Sequence, residues 1–248
     1  MQYLLLPFRL IFKFYYMIVF GLSVILTYPI LYYLLADPKR FPLAFKLMRL
    51  HGFLLLVFAG AHLRVIGKEN IPEKGAFIIC PNHTSFLDIF CIYTLFKRYF
   101  VFTGKKEIEK WPLFHIYYTS GMNILVDRDS KTGTFVAIKR MSKEIEKGNP
   151  IAIFPEGTIS KQVPVMAPFK SGAFAIAIQK QVPILPITFV SNWKLLQGNS
   201  FMKGKSGPGI AEVVIHKPIM TSGLRKEDIE ELQNRVREII NEPFTHTK

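Results

Sequence analysis

The sequence predicts an α/β protein: a largely parallel, twisted sheet flanked by helices and preceded by an N-terminal, membrane-inserted helical hairpin. Three observations predict it. From His62 onward, short apolar runs alternate with helical patterns, the βα rhythm that builds a parallel sheet covered on both faces. Phe14 to Ala36 carries no charged residue and is long enough to cross a bilayer. The chain has 248 residues, half of them hydrophobic, enough for a sizeable core.

The elements follow in order. The first apolar stretch is too long for a typical signal-peptide core and has no small-residue cleavage site, which argues against secretion. Ala36-Asp-Pro-Lys-Arg40 reads as a turn, and a second apolar stretch, Phe41 to Ala61, is broken by Lys46, Arg49 and His51. Those charges disfavour a second span. Pro29 and the tyrosines of the first stretch suit a kinked helix near the interface. Residues 1–61 are therefore expected to anchor the chain as a two-helix segment in one leaflet, with both ends on the cytosolic side of the cytoplasmic or inner membrane; a true single span is the alternative. Residues 62–248 form the α/β domain. Within it, strands are expected at Leu63 to Ile66, Ala76 to Cys80, Tyr99 to Thr103, Asn123 to Val126, Pro150 to Phe154, Ile184 to Val190 and Ile210 to Ile215. Helices are expected from about Phe86 to Lys97, across the aromatic patch Trp111 to Ser120, over Thr132 to Lys147 and Phe169 to Lys180, and from Ser222 or Gly223 to about Asn241. No helix is expected between the last two strands, which can pair antiparallel.

The formal charge of +14 favours partners carrying negative charge: phosphates, an anionic membrane surface or nucleic acid. The two cysteines, Cys80 and Cys91, fit no zinc or redox spacing, and reduced thiols in the cytosol are the default.

Ala76 to Asp88 reads as a buried strand, stopped by Pro81-Asn82, that turns into a helix capped by Thr84 or Ser85. His83 then lies at the strand exit near a helix N-terminus, whose positive end favours neutral imidazole. A carboxylate at Asp88 can fix the tautomer. Residues five apart in a straight helix diverge by roughly 140°, so the pair meets only if His83 precedes the regular helix and folds back. Other polar groups fall at strand ends, where open α/β sheets bind ligands: Lys105 in Thr103-Gly-Lys-Lys, Asp127-Arg128 after the strand at 123, and Glu156, Gly157 and Thr158 in Phe154-Pro-Glu-Gly-Thr-Ile-Ser160. Each cation alone is more often a solvated surface charge.

Other motifs compete. Gly198 to Ser206 is one residue too long for a phosphate-binding P-loop and reads as a basic surface loop. Ser200-Phe-Met-Lys203 lacks the companions of the Ser-x-x-Lys enzymes. Asn82-His-Thr84 is a formal glycosylation sequon at a site expected to be buried and cytosolic. Cys80 beside His83 is an alternative nucleophile, implying an acyl-enzyme.

Asn82-His-Thr-Ser-Phe-Leu-Asp88 resembles the His-x-x-x-x-Asp signature of the glycerolipid acyltransferases. Phe154 to Thr158 resembles their second hallmark, Gly121 to Arg128 the block between, and Val182-Pro-Ile-Leu-Pro186 the last one. The resemblance covers roughly residues 62 to 220 and points to the bacterial 1-acylglycerol-3-phosphate acyltransferases. It implies transfer from an acyl-CoA or acyl-carrier-protein thioester, a co-substrate rather than a cofactor, to lysophosphatidic acid, giving phosphatidic acid. It implies His83 as general base, oriented by Asp88, and no metal, since a thiolate leaves readily. It further implies that Lys105 and Arg128 bind phosphate, and that Glu156, Gly157 and Thr158 shape the acceptor site, with Glu156 near the glycerol. The chain departs from the family at Ile159, where an arginine is usual, so Lys161 and Lys170 become candidate substitutes. Phe86, Leu87, Phe114, Ile116 and Tyr117 are candidates for an acyl slot. These motifs, more than the basic composition, argue for an enzyme and against a non-enzymatic membrane or nucleic-acid binder; a related acyltransferase using glycerol 3-phosphate or another lysolipid is the alternative.

Overall fold

The computed structural model describes residues 6–198, 202 and 204–245. Two long helices open it, α1 (Leu6–Leu35) and α2 (Phe41–Phe58). Between them Asp37 accepts a hydrogen bond from the Lys39 N–H at 2.9 Å, capping a single 3-10 turn, and Pro42 falls in the first turn of α2. The remaining elements alternate: β1 (Ala61–Ile66), β2 (Ile78–Pro81), α3 (Leu87–Leu95), β3 (Val101–Lys105), α4 (Ile116–Thr119), β4 (Ile124–Val126), α5 (Lys131–Glu146), β5 (Ile151–Ala152), α6 (Gly172–Lys180), β6 (Ile184–Phe189), α7 (Asn192–Leu195), β7 (Gly209–Ile215) and α8 (Ile229–Thr245).

The seven strands form one sheet in the order β1-β7-β6-β2-β5-β3-β4. The five from β6 to β4 are parallel to one another; β7 is antiparallel to β6, and β1 is parallel to β7. Alternation along the strands divides the core in two. Phe77, Ile79, Phe100, Phe102, Leu185 and Ile187 face α2 and α3. Ile78, Cys80, Val101, Ile151 and Ile184 face α5, α6 and α8.

The second apolar stretch packs on the sheet layer. Phe45 of α2 is 2% exposed, and its ring meets Tyr93, Tyr99 and Phe100 at centroid distances of 5.8, 5.7 and 5.2 Å. Gly52 lies against the α3 backbone, where an added Cβ would come within 3.3 Å of the Phe90 carbonyl oxygen. Lys46, Arg49 and His51, read from sequence as interruptions, are accommodated because α2 lies along the domain; Arg49 donates to the Tyr93 carbonyl and His51 pairs with Ser23 of α1. In turn α1 rests on α2 and on the domain: Phe20 stacks on Phe114, and the buried Lys13 Nζ donates to the Gly204 carbonyl at 2.8 Å. By length and composition, Leu6–Leu35 and Pro38–Phe58 are each apolar enough to cross a membrane. Their outer faces are bare, with Phe8, Ile11, Leu26 and Leu50 all more than half exposed.

Three other expectations are corrected. Only Ile116–Thr119 of the aromatic patch is α-helical, because Pro112 supplies no N–H and Leu113 takes a left-handed φ of 66°. The strand at 150–154 pairs over two residues only. A short helix, α7, does stand between the last two strands. Asn199 to Phe201 and Lys203, which hold four of the nine residues of the P-loop-like stretch and three of the four of the Ser-x-x-Lys match, lie outside the described residues.

Candidate active site

The site is built at the carboxyl edge of four adjacent strands, β2, β5, β3 and β4. As β2 ends, the buried Asn82 splices it to β6: its Oδ1 accepts the Phe189 N–H at 2.7 Å and its Nδ2 donates to the Phe189 carbonyl at 3.3 Å. The chain then turns, and His83 precedes α3, as the spacing required. Its Nδ1 lies 3.0 Å from Oδ2 of Asp88, which occupies the first turn of that helix.

Asp88 is wholly buried and surrounded by donors. Its Oδ2 also accepts the backbone N–H groups of Thr84 at 2.6 Å and Ser85 at 2.8 Å. Its Oδ1 accepts from Asn192 Nδ2 at 2.8 Å and from the Thr84 hydroxyl at 3.4 Å. A carboxylate held this way is acceptor-only, so Nδ1 of His83 carries the proton and Nε2 is left with its lone pair. Among the described residues Nε2 has no hydrogen-bond partner, and the side chain is 12% exposed. The imidazole stacks on Phe154, centroids 4.0 Å apart and planes 23° off parallel. The ring is thus fixed on one edge and one face and open at the nitrogen that can take a proton.

The Phe154 to Ser160 turn braces this arrangement from behind. Glu156 points inward rather than toward an acceptor: it is 3% exposed, Oε1 accepts the His83 N–H and Oε2 accepts the Ala167 N–H, each at 2.7 Å. The Ser160 N–H returns to the His83 carbonyl at 3.3 Å, so both backbone polar groups of His83 are held by this turn. Gly157 has φ +71°, and a Cβ there would overlap the Arg128 guanidinium. Arg128 donates from Nη1 to the Gly157 carbonyl at 2.8 Å, linking the end of β4 to the turn. Thr158 is exposed. Lys105 is exposed at the end of β3, beside Val126 in the ladder. Lys161 and Lys170 are exposed as well. Of the slot candidates, Leu87 and Ile116 are core, whereas Phe86 is 48% exposed beside Gly198 and Ile159. Cys80 points to the opposite face of the sheet, fully buried, and burial pushes its thiol far up, so it stays protonated and out of reach.

Burial also pushes the Glu156 carboxyl up to about 7 from 4.5, against the pull of the two N–H groups it accepts. The folded chain binds this proton more tightly than the unfolded chain. Its stabilising contribution is complete below pH 4.5 and is lost as pH rises through about 7. Glu156→Gln cannot ionise, so its stability relative to wild type should rise by about 1–3 kcal/mol between about pH 5 and pH 8. Paired urea melts at the two pH values measure this; a constant gap would show that the carboxyl titrates normally.

The His–Asp pair thus stands at the carboxyl edge of an α/β sheet that carries two bare apolar helices. The family model described as Acyltransferase matches residues 62–190, more than half of the chain, and the chain belongs to that family. It is 32% identical over 181 residues to a 1-acyl-sn-glycerol-3-phosphate acyltransferase of Saccharomyces cerevisiae, an alignment covering 72% of this chain and 58% of that protein. A Helicobacter pylori protein of the same name is 30% identical over 173 residues, covering 69% of this chain and 71% of that one. The chain spans about half to two thirds of the length of most of the curated relatives it matches. In fold it is similar to the 1-acyl-sn-glycerophosphate acyltransferase PlsC of Thermotoga maritima, with a TM-score of 0.79, 23% identity, and coverage of 98% of this chain and 96% of that one.

Proposed function

We propose that this chain moves an acyl group from the thioester of coenzyme A or acyl carrier protein to the sn-2 hydroxyl of 1-acylglycerol 3-phosphate, giving phosphatidic acid. The observation that carries the reading is the His83–Asp88 pair, 3.0 Å apart, in which Nε2 has no hydrogen-bond partner among the described residues. Nε2 takes the hydroxyl proton as the oxygen attacks the thioester carbonyl, and Asp88 stabilises the imidazolium that forms. The tetrahedral intermediate collapses, the C–S bond breaks, and the proton on His83 passes to the departing thiolate. The transfer is direct, with both substrates bound together, and the thioester is consumed as co-substrate without a cofactor or metal. The names of the yeast and Helicobacter relatives support this acceptor.

Arg128 and Lys105 bind the acceptor phosphate in this reading. Arg128 spends one N–H on Gly157, which orients its planar fork, and its remaining N–H groups would bind the phosphate. With Ile159 where the family carries arginine, Lys161 and Lys170 add charge at the same edge, and Gly157 and Thr158 form the near wall. The hairpin inserts into one leaflet of the cytoplasmic membrane from the cytosolic side. Its inner face is spent on the domain from Lys13 to Phe45, so it lies along the membrane plane with its bare face in lipid. Basic residues near an anionic surface add roughly 1 kcal/mol each.

The test is an acceptor screen of the full chain in mixed micelles, using lysophosphatidic acid, glycerol 3-phosphate and lysophosphatidylethanolamine with both donor types. Lysophosphatidic acid should exceed the others by at least about tenfold in kcat/KM. Equal use of lysophosphatidylethanolamine would remove the phosphomonoester from the proposal, and no transfer with any pair would end it.

A further inference from the structure

We infer that Asn192 is a positioning residue for the dyad, the fixed amide that holds Asp88 from the side opposite His83. This rests on the acyl-transfer reading for its kinetic consequences and on geometry alone for its structural ones. Asn192 lies 104 residues from Asp88 in sequence, beyond the stretch matched by the family model, in the four-residue helix α7. It is wholly buried. Its Nδ2 donates to Asp88 Oδ1 at 2.8 Å and contacts Cys91 Sγ at 3.5 Å.

The orientation of the amide is forced. A flip would set its oxygen against a carboxylate oxygen, acceptor to acceptor. The orientation adopted leaves Asn192 Oδ1 buried without a donor among the described residues. A buried acceptor with no partner is costly, and an apolar residue of the same size would avoid that cost. The amide is therefore explained by the N–H it gives to Asp88, not by packing. The element that carries it is tied to the same loop a second time, since the Ser85 hydroxyl donates to the Leu196 carbonyl at 2.5 Å. With His83 on Oδ2 and Asn192 on Oδ1, the carboxylate cannot rotate without breaking one bond or the other.

The other ionisable groups that face Asp88 and its surroundings are His83, Glu156 and Cys91, with Tyr16 of α1 beyond Cys91. Cys91 keeps its proton because burial raises its thiol, so the pH response of the pair is set by His83, Glu156 and whatever stands at position 192.

Three variants test the assignment. Asn192→Leu removes the donor at similar size; kcat should fall at least about tenfold with the acceptor KM within about twofold. In the same variant the carboxylate, short of one donor, holds the imidazolium more tightly, so the His83 ring followed by NMR should titrate at higher pH than in wild type. That measurement needs no activity, and it separates failure of this assignment from failure of the acyl-transfer reading. Asn192→Asp preserves size and can still donate while the two carboxyls share a proton. Its activity should approach wild type at low pH and fall on the alkaline side as that proton leaves, a limb wild type lacks. It also serves if the leucine variant does not fold. Cys91→Ala removes the other neighbour of the amide and should stay within about threefold of wild type. Unchanged kcat in Asn192→Leu, an unmoved His83 titration, a flat alkaline profile in Asn192→Asp, or an equal loss in Cys91→Ala would each overturn the assignment.

Discussion

His83→Ala should lower acyl transfer by about 10³- to 10⁴-fold, while the variant binds anionic vesicles as wild type does. The size follows from what the ring does. In the proposed reaction it takes the hydroxyl proton, and general-base assistance on that scale corresponds to about 4–5 kcal/mol of barrier. The selectivity follows from where the ring sits. Its backbone N–H and carbonyl are held by Glu156 and Ser160, and those bonds survive loss of the side chain. The outer faces of α1 and α2 that would meet lipid are remote from it in the chain and untouched by the change. Co-sedimentation with vesicles, beside a thioester-release assay, reads both quantities on one preparation. Residual transfer within tenfold of wild type would show that another group removes the proton.

Asp88→Asn should retain the fold and lose about 10²- to 10⁴-fold in kcat. An asparagine oxygen can still accept from the Thr84 and Ser85 N–H groups and from His83 Nδ1. Its new N–H then faces Asn192, whose amide can turn to offer the oxygen that is now without a partner. Packing and hydrogen bonding can therefore be rebuilt, and what is gone is the negative charge that stabilises the imidazolium. The expected signature is a near-normal melting temperature with a large fall in kcat and little change in acceptor KM. A cooperative loss of folding would assign Asp88 to the start of α3 instead of to the ring.

Much of this arrangement was readable in the chain. The strand at 76–81 announces itself as an apolar run closed by Pro81-Asn82, and the five-residue interval from His83 to Asp88 stated its own geometric condition, which the fold meets. The amphipathic α5 and the antiparallel end of the sheet were likewise visible, because periodicity and turn chemistry are local. What escaped is non-local. Asn192 is one polar residue in a segment too short to show a period, and nothing near it in sequence indicates that a carboxylate 104 positions earlier needs a donor. Glu156 was placed at the acceptor site on the strength of the resemblance alone; two backbone N–H groups from different segments make its inward turn possible. The charges of α2 looked like obstacles because the ledge that receives Phe45 is assembled from Tyr93, Tyr99 and Phe100, half a domain away in the chain.

That ledge bears on how the molecule can be handled. A chain started at residue 62 would lose the Phe45 ring that covers three aromatics of the sheet layer, opening a greasy hollow at the start of β3. Detergent would pool there, and such a fragment would report on micelles as much as on catalysis. The helix that bares one apolar face also fills the protein interior with the other, so solubility cannot be gained by trimming it without opening the core.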